Sequence, residues 1–90
     1  MATSTIQSIT ATSSTWTEVF TASGVTSGSN IVIQNTGSSG VLIQTNTSNT
    51  PPTDNSGWAL APFAAVKVTA ESYVFIKSGG AECLVHVEVE

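Results

Sequence analysis

The chain has 90 residues, 40% of them apolar, with six acidic and two basic residues and a net charge of −4. Charged residues make up 9% of it, against roughly a quarter in ordinary soluble domains. Lys67 and Lys77 alone cannot form the clustered cationic footprint that displaces phosphate counterions, which excludes a nucleic-acid partner.

One domain spanning residues 1–90 is expected, burying only roughly 60–65% of its unfolded surface. No disulfide can support that modest core, because Cys83 is the only cysteine. No apolar stretch reaches the length of a membrane span. Residues 1–10 show neither the basic n-region nor the apolar run of a signal peptide, so synthesis in a reducing cytoplasm is expected. Ser and Thr, close to a third of the chain, must supply its solubility, and Thr is also a good strand former.

In chain order, the sequence predicts about eight short antiparallel strands. Residues 5–12 carry Ile6 and Ile9, an odd spacing that predicts a bulge. Ser13-Ser14 is a turn, and residues 16–21 form a strand with Trp16 and Phe20 on one parity. The stretch 31–46 is the organising piece. Its two apolar runs, Ile31-Val32-Ile33 and Val41-Leu42-Ile43, flank Thr36-Gly37-Ser38-Ser39-Gly40, which reads as a hairpin loop. β-Branched residues with apolar side chains on both faces place these runs in the middle of a sheet. Residues 45–57 are the longest polar run. Trp58-Ala59-Leu60 and Pro62 then lead into a strand at 64–69. Another follows at 73–77, and Ser78-Gly79-Gly80-Ala81 reads as a hairpin turn into 82–90. There Cys83, Val85, Val87 and Val89 alternate with Glu82, Leu84, His86, Glu88 and Glu90, the clearest period of two in the chain. No helical periodicity of useful length is present. Short strands at regular spacing predict an all-β fold, a β-sandwich or jelly roll whose inner faces bury each other.

Little in this pattern points to catalysis. His86, Glu88 and Glu90 share one strand face, but jelly-roll metal sites need more than one His, so no metal or other cofactor is expected. Cys83 and His86 have opposite parity and cannot easily meet as a nucleophile and its base, so Cys83 reads as a buried structural thiol. Asp54 lacks a second carboxylate near it in sequence and reads as a turn residue. Asn46-Thr47-Ser48 matches a glycosylation acceptor, without a secretory signal to give the match weight. Trp16, Trp58 and Tyr73 are rings that could stack on a sugar if exposed, although in a small domain such rings more often fill a core or interface. Trp58, at the end of the polar run beside Asp54 and Asn55, with Asn49 earlier in it, is the candidate contact for a glycan or a protein partner.

Edge strands invite pairing with other chains, and this chain has few Lys and Pro to prevent it. A homo-oligomer of cyclic symmetry, a trimer for example, or a subunit docked on a larger assembly is therefore expected. The polar run at 46–56 is expected to project outward or touch a neighbour, and to be removable without loss of the fold.

Several motifs look like those of small virion proteins of tailed bacteriophages. They are Ile6-Gln7-Ser8-Ile9-Thr10-Ala11-Thr12 followed by Trp16, and Ile33-Gln34-Asn35-Thr36-Gly37 followed by Val41-Leu42-Ile43. The Pro51-Pro52 loop, Gly57-Trp58-Ala59-Leu60-Ala61-Pro62 and the Ser78-Gly79-Gly80-Ala81 turn complete the likeness, which covers most of the chain. Where that pattern often has Gly after its Leu-x-Pro turn, this chain has Phe63. The resemblance implies a non-enzymatic role in a phage particle, as a head decoration, fibre or tail accessory protein, with the capsid among its partners and the virion as its location. It transfers no catalytic residue. The second reading is a carbohydrate-binding or host-attachment module.

Overall fold

A computed structural model of the chain describes residues 6–89, with side chains from residue 8 onward. Among them are eight strands and one short helix: β1 (Ile6–Ala11), β2 (Thr17–Glu18), α1 (Val19–Ser23), β3 (Ile31–Asn35), β4 (Val41–Asn46), β5 (Trp58–Leu60), β6 (Ala65–Val68), β7 (Tyr73–Ser78) and β8 (Cys83–Val89). They form two four-stranded sheets, ordered β1-β8-β3-β6 and β2-β7-β4-β5, with every pairing antiparallel. The chain thus folds as one long ribbon, pairing β1 with β8, β2 with β7, β3 with β6 and β4 with β5, and wraps that ribbon into two layers. This is the winding of a jelly roll.

Alternation of side chains explains the layers. In β3, Ile31, Ile33 and Asn35 are buried while Val32 and Gln34 are half-buried, and β4 repeats the pattern with Val41 and Ile43. In β8, Cys83, Val85 and Val87 face inward and Leu84 faces out. These inward rows join Val19, Phe20, Val74 and Ile76 in one core between the sheets.

The stretch 31–46 does lie mid-sheet, but not as a hairpin. β3 sits between β8 and β6, β4 sits between β7 and β5, and the Thr36–Gly40 turn crosses from one sheet to the other. The same correction applies to the turn at 78–81, since β7 and β8 belong to opposite sheets. Gly and Ser permit both kinds of reversal, so turn chemistry alone could not tell a hairpin from a corner. A buried Asn35 fixes the first corner. Its Nδ2 donates to the carbonyls of Ser39 (2.7 Å) and Leu60 (3.1 Å), and its Oδ1 accepts from the Gly37 amide at 2.9 Å. Gly37 lies against β8 so closely that a Cβ there would sit 2.6 Å from the Cys83 Cβ and Sγ.

Two further expectations are corrected. β1 pairs with β8 without a break from Ile6 opposite Glu88 to Ala11 opposite Cys83, so there is no bulge. Ile9 and Ala11 provide the inward parity, and the Ile6 side chain lies outside the described residues. The strand expected at 16–21 ends at Glu18, where α1 begins. The Glu18 carboxylate accepts from the Thr21 amide (2.8 Å), the Thr21 hydroxyl (2.7 Å) and the Phe20 amide (3.2 Å), and also from the Val74 amide of β7 at 3.1 Å. One side chain therefore caps the helix and closes the end of the β2–β7 ladder. A five-residue helix is too short to show a period in the sequence.

Candidate functional site

The β4–β5 connection, residues 47–57, is the tip of the wound ribbon. Residues 47–51 are exposed, as expected of a loop that projects outward, while its second half is tied back to the sheet. Gln44 Nε2, on the outer face of β4, donates to Asp54 Oδ1 at 3.0 Å and to the Ser56 carbonyl and hydroxyl. Trp16 Nε1 donates to the Asp54 carbonyl at 3.2 Å, and Lys77 Nζ donates to Asn55 Oδ1 at 2.7 Å. Lys77 also stands over the Trp16 ring, 5.9 Å from its centroid, at cation–π range. Phe75 lies on this outer face, opposite Gln44 and Glu18 in register, yet only 1% of it is exposed and it stands apart from the central core cluster. The loop is bonded across that same face through Asp54, Asn55 and Ser56.

Asp54 is held in its ionised form. Hydrogen bonds from the Ser56 hydroxyl, then from Gln44 and the Ser56 amide, lower its pKa below the ordinary 3.8. With Pro51, Pro52, Asn55, Trp16 and Lys77 it lines a shallow cleft of about 340 Å³.

Trp58 belongs to a different place. It pairs with Ile43 and shares the parity of buried Leu60, so it occupies an inward-facing position of the β2-β7-β4-β5 sheet. Even so, 72% of it is exposed. β5 and β6 are the edge strands on one side of the two layers, and the layers do not close there. The mouth between them has a volume of about 550 Å³. Ile43, Val66 and Val68 line it with Trp58, and Gln44, Thr45, Ser56, Lys67, Thr69 and Glu71 complete its wall. Gly57 makes the approach to Trp58 possible. Its φ is 145°, and a Cβ there would sit 2.7 Å from the Ile43 carbonyl oxygen.

Of the residues singled out from the sequence, Asp54 and Asn55 therefore come together in the cleft, while Trp58 lines the mouth. Asn49 is exposed in the loop and lines neither. Lys77, Thr45, Thr69 and Glu71 were not anticipated as site residues, whereas Trp16, weighed from the sequence as a stacking ring, lines the cleft with its N–H bonded to Asp54. For Lys77 a signal existed, because strand parity puts it on the same outer face as Phe75. His86 and Glu88 are half-buried on the outer face of β8, opposite in parity to buried Cys83, and Glu90 lies outside the described residues. Compared with protein-family models, curated proteins and solved structures, the chain matches none.

Proposed function

We propose that the chain is a non-enzymatic structural component of a bacteriophage particle, most simply a protein that decorates and stabilises the capsid. Its partners are copies of itself in a cyclic oligomer such as a trimer, together with the capsid subunits beneath. The observation that carries this reading is a charge-poor jelly roll with apolar side chains left exposed at its surface. Leu84 is 54% exposed on the outer face of the β1-β8-β3-β6 sheet. Thr10 lies opposite it in register, and the Thr36 hydroxyl donates to its carbonyl at 2.8 Å. The patch around Leu84, Thr10 and Thr36 carries no charged side chain and can be covered by a neighbour without stripping water from charges, while Glu88 and Lys67 lie further along the same face. Each protein seated on a lattice adds contact free energy that the bare shell lacks. The jelly roll itself recurs in capsid and lectin domains, a fold-level analogy that supports the reading without carrying it.

The experiment is to purify particles from the genome that encodes this chain, with the gene intact and with it interrupted. The expected result is the chain in intact particles at a fixed stoichiometry, extra density on the shell, and a lower disruption temperature when it is missing. Purified particles without the chain would refute the proposal.

A further inference from the structure

We infer that the mouth between β5 and β6 is a binding site for an uncharged saccharide, with Trp58 as its stacking platform. The first support is the position of Trp58. A large aromatic on an inward-facing parity normally disappears into a core, yet this one stays mostly exposed beside an opening between the layers. The ring's polar handle is uncommitted as well, since Trp58 Nε1 makes no hydrogen bond among the described residues. Trp16 forms a contrast, because its N–H is bonded to Asp54 and its ring lies under Lys77.

The second support is the wall. Thr45, Thr69 and Glu71 line the mouth, and their side chains make no hydrogen bonds among the described residues. Two hydroxyls and a carboxylate around an aromatic face suit a ring that carries hydroxyls at its edge and C–H groups on its faces. The volume of about 550 Å³ falls within the roughly 300–1,000 Å³ of small-ligand sites. One Lys and one Glu line the wall, so the opening presents neither sign of charge alone, which favours a neutral ligand over an anionic or cationic one.

Strand addition by a second protein chain is the competing occupant, and the edges disfavour it. β5 has three residues and β6 four, Lys67 lies on β6, and Pro62 follows β5, all features that discourage edge pairing. The inference is independent of where the protein resides, so it can fail while the particle role holds, or hold while that role fails.

The test uses the full chain carrying W16F, which leaves Trp58 as the only tryptophan. Its emission is followed against cello-, malto-, xylo-, manno- and chito-hexaose up to millimolar concentrations, with dodecanoate as an apolar control. The expected result is a saturable change with at least one oligosaccharide. In calorimetry on the otherwise native chain, W58A should weaken that binding by about tenfold or more. E71Q and T69V should each weaken it several-fold, with unfolding transitions unchanged. No saturable response to any of the five sugars would overturn the inference. So would sugar binding that W58A leaves intact, or saturable binding of dodecanoate alone.

Discussion

Asn35 offers the sharpest perturbation of this fold, because it is fully buried and all its side-chain bonds tie down one corner. N35A would strand the carbonyl of buried Leu60, at about 2 kcal/mol for an unsatisfied buried acceptor. The partners at Ser39 and Gly37 are half-exposed and can recruit water, so each should cost only about 0.5 kcal/mol. The sum is about 3 kcal/mol, a large share of the roughly 5–15 kcal/mol by which small domains are stable. For a domain of this size that corresponds to a fall of about 12–24 °C in Tm. Urea unfolding followed by fluorescence should show the midpoint falling with little change in slope. N35D sharpens the test, because it replaces an N–H donor facing two carbonyls with an oxygen. At neutral pH it should be less stable than N35A, and it should partly recover in acid as the new carboxyl takes a proton and donates. A loss below about 1 kcal/mol for N35A, or an N35D no worse than N35A at neutral pH, would refute the assignment of Asn35 as the corner's staple.

Four other perturbations follow from particular contacts. E18A removes the acceptor for three backbone amides and a hydroxyl, and should cost about 2 kcal/mol in the same urea assay, with T21A costing clearly less. G37A would drive a Cβ to within 2.6 Å of Cys83 and should cost about 1–3 kcal/mol, measurable by calorimetry. Phe63 has φ 65° and is 70% exposed, so F63G should range from neutral to about 1 kcal/mol more stable, while a β-branched F63V should be destabilised. The lowered pKa of Asp54 means its hydrogen bonds add stability above the ordinary value of 3.8 and lose it as pH falls through the folded value. D54N should therefore remove that part of the acid-side decline when Tm is followed against pH.

Strand existence and face were legible in the sequence wherever a period of two ran unbroken, as in residues 83–89 and in the two apolar runs of 31–46. Partnership was not, because alternation says which side a residue faces and nothing about which strand lies beside it. That is why the corners at 36–40 and 78–81 read as hairpins, and why the one consecutive pairing, β4 with β5, went unnoticed across a long polar loop. Asn35 is polar and nothing in its sequence setting marked it as a core residue, yet it is fully buried with three side-chain hydrogen bonds. The site was half legible. Trp58 stood out as an aromatic beside polar residues, but the loop folds back onto β4 and β7, which takes Asp54 and Asn55 to the other side of the sheet. Phe63 is instructive in the other direction. The glycine-like position suggested by its setting in the sequence does adopt the left-handed backbone, and a phenylalanine occupies it nonetheless.

The layered winding requires that residues 31–46 be shared between the two sheets. Backbone NOEs in a uniformly labelled sample address it directly. Cross-strand contacts placing Val32 opposite Glu88, Ile33 opposite Val87 and Leu42 opposite Lys77 are expected. A continuous backbone ladder joining residues 31–35 to residues 41–46 would contradict the layered winding and everything built on it.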